Sequence, residues 1–173
     1  VSAFGHTSYL VRNGSVGVIL DSTGEITAFD SLTGEVRWRS VLGSYPSPPA
    51  LGGDGTIYLV DGDVRQYGFF APRPRSWLSA IDGFTGRVRW TSQSVLPYYS
   101  PPIVGPDGTV YLSSNTNIST HNGSTGGVKW QRGDIKVNAF ASPSLAADVT
   151  LYEPAGTTAL RAEEGAVQAL DSA

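Results

Sequence analysis

The chain has 173 residues, of which 40% are hydrophobic and 16% charged, so it can bury a real core and does not belong to the disordered class. It lacks Cys, which removes disulfides, thiolate metal sites and cysteine nucleophiles, and its formal net charge of -3 argues against a nucleic-acid or anionic-membrane surface. No apolar stretch reaches the length of a membrane span.

The 21 Gly and 11 Pro punctuate the chain throughout, as short strands joined by tight turns require. Met is missing, even at position 1, and the expectation is a processed form, a fragment or an excised piece rather than a primary translation product.

In chain order, the first recognisable element is Asn13-Gly14-Ser15-Val16, a weak copy of the later Asp54-Gly55-Thr56-Ile57. Ala28–Trp38 follows (A-F-D-S-L-T-G-E-V-R-W), then Ser47–Leu59 (S-P-P-A-L-G-G-D-G-T-I-Y-L). Both types recur. Ala80–Trp90 reads A-I-D-G-F-T-G-R-V-R-W and Thr120–Trp130 reads T-H-N-G-S-T-G-G-V-K-W. Ser100–Leu112 reads S-P-P-I-V-G-P-D-G-T-V-Y-L, with a weaker copy at Ser142–Tyr152. Val167–Ala173 aligns with Ile26–Leu32, where the last motif copy stops before its Thr-Gly and Trp.

Asp-Gly between apolar runs signals a two-residue type I′ hairpin, predicting that Pro49–Leu51 pairs with Thr56–Val60. Ser79–Asp82 and Arg87–Trp90 form the next hairpin around Thr85-Gly86, with Val88 and Trp90 facing inward by alternation. No segment has sustained helical periodicity. Four short antiparallel strands per unit, repeated along the chain, predict an all-β fold: a β-propeller with blades over roughly 1–38, 39–90, 91–130 and 131–173, the last incomplete.

These residues resemble the PQQ-like repeat of quinoprotein dehydrogenases and their non-catalytic relatives, and the A-x-D-x-x-T-G-x-x-x-W segment is similar to that family's tryptophan-docking motif. The resemblance is carried by Ala28, Asp30, Gly34 and Trp38, by Ala80, Asp82, Gly86 and Trp90, and less fully by Asn122, Gly126 and Trp130. It implies that the Trp packs between blades and the Asp-to-Gly stretch shapes the last hairpin. Trp38, Trp90 and Trp130 are therefore expected to be mostly buried, and Trp77 to stand apart in a loop. It also implies a ring of about six to eight blades for a quinone enzyme. The remaining blades or another polypeptide would then complete the fourth repeat, with a strand from Ser2–Val11 as the rival.

Chemistry is sparse. His6 and His121 lack zinc-ligand spacing, no G-x-S-x-G marks a nucleophile, and Gly52–Gly55 lacks the Lys and helix of a phosphate loop. The adjacent cysteines of alcohol-oxidising quinoproteins are absent. The expectation is no catalytic, cofactor or metal site.

The repeats differ most between their second and third strands: the motif begins nine residues after Tyr111 but twenty-two after Tyr58. The excess, Asp61–Trp77, holds Arg65, Tyr67, Phe69, Phe70, Arg73, Arg75 and Trp77, and Tyr98-Tyr99 sits in a blade connector. Arg and aromatics dominate binding hot spots, which makes this a candidate interaction loop; the alternative is a flap shielding its own blade. Repeat four has a milder insertion, Glu153–Gly165. Sequons stand at Asn13, Asn117 and Asn122, two of them where sister repeats place Asp.

The expected function is a non-catalytic scaffold or protein-interaction module, outside the cytoplasm. The rivals are a fragment of a quinone-dependent dehydrogenase and a lectin-like propeller.

Overall fold

The structure, a computed structural model, describes residues 9–21, 24–42, 47–62, 76–94, 100–114, 117–133, 143–155 and 166–170. They form four antiparallel meanders, and no described residue is helical. Blade one is β1 (Tyr9–Asn13), β2 (Val16–Leu20), β3 (Glu25–Asp30) and β4 (Val36–Val41). Blade two is β5 (Ala50–Leu51), β6 (Thr56–Gly62), β7 (Ser76–Asp82) and β8 (Val88–Ser94). Blade three is β9 (Ile103–Val104), β10 (Thr109–Ser114), β11 (Asn117–Asn122) and β12 (Val128–Gly133). Blade four is β13 (Ser144–Leu145), β14 (Leu151–Ala155) and β15 (Ala166–Leu170), three strands among the described residues. In each sheet, strands lie in chain order, with β5 beside β1 and β9 at the inner edge. The outer strands of the first three blades run past Trp38, Trp90 and Trp130 to Val41, Ser94 and Gly133.

The second strand of each inner blade is buried on both faces, so it reads as a continuous apolar run rather than an alternation. Thr56 through Val60 are all buried. Ile57 and Leu59 join Val16, Val18, Leu20, Ile26 and Ala28 in a core between blades one and two. Tyr58 and Val60 point the other way, to Val110 and Leu112 of blade three. Tyr111 and Ile118 then meet Leu151 of blade four. Each blade is thus one layer of a stack, and the cores lie between sheets. Cutting Leu59 to Ala removes about 2–5 kcal/mol, the range for a buried Leu.

Local geometry corrects several expectations. The Asp54-Gly55 turn is not a two-residue type I′ hairpin. Leu51 pairs with Ile57, and Gly52 donates to the Thr56 carbonyl. That leaves a three-residue loop whose last member, Gly55, takes φ +80°. Two-residue geometry occurs in blade one, where Asn13 pairs with Val16 and only Gly14 of the loop has positive φ. Because Val16 pairs with Asp30 as Thr56 pairs with Asp82, Val16 matches Thr56 rather than Ile57, a shift of one residue from the sequence alignment.

The insertion in blade two is shorter than Asp61–Trp77. Asp61 pairs with Trp77 and Gly62 with Ser76, lengthening the hairpin at its base. Likewise Glu153–Ala155 belong to β14. Of Ser2–Val11, the described residues pair with β2 in blade one, so they do not fill the fourth blade.

Candidate functional site: the blade seams and the turn face

The third residue of each complete motif copy is a polar residue that ends the third strand of its blade. Asp30 Oδ1 accepts hydrogen bonds from the Leu32 and Thr33 amides, 2.9 and 3.1 Å. Asp82 Oδ1 accepts from the Phe84 and Thr85 amides, and the Asn122 side-chain oxygen Oδ1 from those of Ser124 and Thr125. Asn substitutes for Asp here because the turn needs one acceptor and no charge. The Thr-Gly glycine follows at φ +76°, +72° and +75° in the three blades, a region that side chains rarely enter.

A β-bulge comes next. Ala28 faces Trp38 while Phe29 faces Val36, so Arg37 is the extra residue; blades two and three repeat this around Arg89 and Lys129. The extra residue breaks the alternation. Val88 and Trp90 therefore fall on opposite faces, and Val88 is 58% exposed instead of inward.

The bulge also aims the cation. Arg37 donates to Asp30 at 2.7 Å. Arg89 reaches Asp82 at 2.8 Å and Asp54 at 2.9 Å, tying both hairpin turns of its blade together. Lys129 reaches Asp107 at 3.4 Å. The Arg37 hydrogen bond holds the Asp30 carboxyl down at about 2, and Arg89 does the same for Asp82. These pairs are solvent-accessible and add little to stability. Their effect is to orient turns.

The motif tryptophans are half-buried, not mostly buried, and so is Trp77. They lie on outer strands, one face of which meets solvent. What distinguishes Trp38 and Trp90 is their partner. The Trp38 indole N–H donates to the Gly83 carbonyl of the next blade at 2.9 Å, and its ring lies against Gly86, where a Cβ would sit 2.8 Å away. Trp90 donates to Gly123 at 2.8 Å and covers Gly126, where a Cβ would be 2.6 Å away. Ala28, Ala80 and Thr120 are the cross-strand partners of Trp38, Trp90 and Trp130, each 0% exposed, and the Thr120 hydroxyl has no hydrogen-bond partner among the described residues. Trp130 packs on the core between blades three and four.

Two further groups complete the seam between blades two and three. Tyr58 donates its hydroxyl to the same Gly123 carbonyl at 3.1 Å, its ring centroid 6.0 Å from that of Trp90. His121 is buried, and its Nδ1 lies 3.1 Å from the Gly126 carbonyl. A carbonyl only accepts, so Nδ1 carries the proton and Nε2 accepts from Ser119 Oγ at 3.1 Å. Burial pushes the imidazole pKa down.

Of the candidate loop, only Trp77 falls among the described residues, on β7 opposite Gln93. Arg65, Tyr67, Phe69, Phe70, Arg73, Arg75, Tyr98 and Tyr99 lie outside them, as does His6. Sequence reasoning missed the bulge cations and the Tyr58 bond. The recurring Arg/Lys one residue before each Trp was the available signal for the first; nothing in one repeat signals the second, since its partner belongs to the next blade.

Comparison with known proteins places the chain. The PQQ_2 family, described as "Outer membrane protein assembly factor BamB", matches residues 22–173. The chain belongs to this family. Comparison with curated protein sequences finds no match. Among solved structures, BamB from Moraxella catarrhalis superposes with a TM-score of 0.59 at 22% identity, covering 81% of this chain and 43% of that one. Quinohemoprotein alcohol dehydrogenase from Comamonas testosteroni gives 0.60 at 13% identity, covering 87% and 33%. A europium-containing methanol dehydrogenase gives 0.59 at 14%, covering 86% and 38%. The fold is therefore a β-propeller of PQQ-like repeats, and the chain spans less than half the length of these structures. No helix among the described residues is long and apolar enough to cross a membrane. Among the described residues no three of His, Cys, Asp and Glu converge.

Proposed function

We propose that this member of the PQQ_2 family is a non-catalytic scaffold, part of a larger propeller ring, that presents loops to protein partners in an assembly outside the cytoplasm. The observation that carries this is the fate of the motif's polar groups. Asp30, Asp82 and Asn122 cap turns, Arg37, Arg89 and Lys129 are paired, and the Trp38 and Trp90 N–H groups hold carbonyls across seams. In blades one to three these chemistry-bearing motif residues are committed to architecture, which leaves recognition to the loops. The family description as an outer membrane protein assembly factor agrees with that role.

The partner-binding residues are proposed to be Arg65, Tyr67, Phe69, Phe70, Arg73, Arg75 and Trp77 with Tyr98 and Tyr99, since rigid aromatics and Arg anchor interfaces. The rival, a segment of a quinone-dependent dehydrogenase, draws on the fold likeness to two such enzymes. The deciding experiment is cross-linking and co-purification from cells, with and without alanine at Phe69 and Phe70, beside dye reduction with added quinone and calcium. Loss of a specific partner on substitution supports the scaffold. Calcium-dependent dye reduction, abolished by a substitution within this chain, overturns it.

A further inference from the structure

The two seams differ at one seat. In blade two, Phe84 lies over Gly55, where an added Cβ would meet the ring at 3.1 Å. The Arg37 guanidinium of blade one sits 5.4 Å from that ring's centroid while still holding Asp30. In blade three the equivalent position is Ser124, and a Cβ on Gly108 would meet nothing within 4 Å. A groove of about 420 Å³ opens there, bounded by Gly53 and Asp54 of blade two and by Gly108, Ser124 and Lys129 of blade three, with Tyr58 also lining it. Its volume falls within the roughly 300–1,000 Å³ of ligand pockets.

We propose that this groove is a binding site for an aromatic side chain presented by a partner polypeptide. The molecule supplies its own template: the seat that blade two fills from within, with a Phe on a turn, is filled in blade three from outside. The surroundings suit a neutral ring. Tyr58 offers an aromatic neighbour, and aromatic pairs add about 0.5–1.5 kcal/mol beyond area burial. The charged groups at the rim are engaged within the protein, Asp54 with Arg89, which Asp82 shares, and Lys129 with Asp107, so both cations are already held by carboxylates and an anion is not selected. Arg89 occupies in blade two the motif position of Arg37, and the pairing of Arg37 with Asp30 does not prevent its stacking on Phe84. The inference deepens the scaffold reading and rests on it only for the nature of the partner.

The test uses the isotope-labelled protein and follows the amide resonances of Gly108, Gly123 and Ser124. N-acetyl-phenylalaninamide should shift them saturably, at least fivefold more than N-acetyl-alaninamide, and Ser124→Phe should abolish the response. A Gly-Ser-Phe-Gly-Ser peptide with blocked ends should bind several-fold more tightly than the amide alone, because the rim can take its backbone. Phe84→Ser should open a second seat, detected at Gly55. Non-saturable shifts, equal shifts with the alanine compound, or an undiminished response in a folded Ser124→Phe protein overturn the site. Should Ser124→Phe not fold, the absence of any new response at Gly55 in Phe84→Ser overturns it alone. Exclusion of the peptide while the amide binds overturns the polypeptide partner. None of these outcomes touches the dye-reduction test, so the two readings fail separately.

Discussion

At the seam between blades one and two, the Gly83 carbonyl takes the Trp38 indole; at the seam between blades two and three, the equivalent Gly123 carbonyl takes both the Trp90 indole and the Tyr58 hydroxyl. The first seam is closed over by Phe84 and Arg37, the second left open beside Ser124. The sister positions of His121 are apolar: Phe29 in blade one and Ile81 in blade two, each the residue just before the motif's Asp or Asn. One backbone plan therefore tolerates an apolar finish and a polar one, and the polar one carries the open groove and the titrating group.

The largest effect that tests this comparison is at the motif glycines. Gly86→Ala and Gly126→Ala combine a left-handed φ with a Cβ driven into Trp38 or Trp90, and should cost about 3 kcal/mol. Gly34→Ala has the same φ but open space, and should cost about 1 kcal/mol. Equal losses in denaturant titrations would show that the seams do not clamp these turns.

Trp38→Phe and Trp90→Phe come next. The first leaves the buried Gly83 carbonyl without its indole donor, costing about 1–3 kcal/mol beyond the lost ring area. The second leaves Tyr58 still bonded to Gly123 and should cost about 1 kcal/mol less. A Tyr58→Phe, Trp90→Phe double variant that loses no more than the sum of the singles would show that the two donors do not back each other up.

The smallest effect is pH dependence. The folded His121 pKa lies below the usual value near 6.5, so the unfolded chain takes the proton first. The stability that neutral His121 contributes is present above about pH 6.5 and is lost as pH falls below it. His121→Phe should flatten the profile between pH 7.5 and 5. Asp30 and Asp82, held down to about 2, contribute stability above about pH 4 that is lost as pH falls towards 2. Asn122 contributes no such loss at its position, and Asp82→Asn should reduce the acid slope without altering the His121 loss that sets in below about pH 6.5. A step that survives His121→Phe would assign it elsewhere.

Much of this architecture was legible because the sequence contains its own alignment. Three motif copies expose the positions that cannot vary: the acceptor capping the turn, the glycine at positive φ and the tryptophan on the outer strand. The all-β propeller follows from these and from strands too short and too often interrupted for helices. What stayed hidden depends on residue counts or on neighbours. Asp54-Gly55 has the composition of a two-residue turn, but the pairing of Leu51 with Ile57 leaves room for three. Val88-Arg89-Trp90 alternates on paper, yet the bulge at Arg89 turns Val88 outward. Ser124 gains meaning only when blade two shows what stands in its place.

The seam bonds also have a direction in time. Trp38 waits for a carbonyl 45 residues further along the chain, and Trp90 for one 33 residues on. At ribosomal rates of about 5–20 residues per second, each blade emerges roughly 2–9 s before the groove that receives its indole exists. During synthesis blade one is thus a sheet with an unlatched edge until blade two arrives, and blade two until blade three, each newcomer the clasp of the one before it.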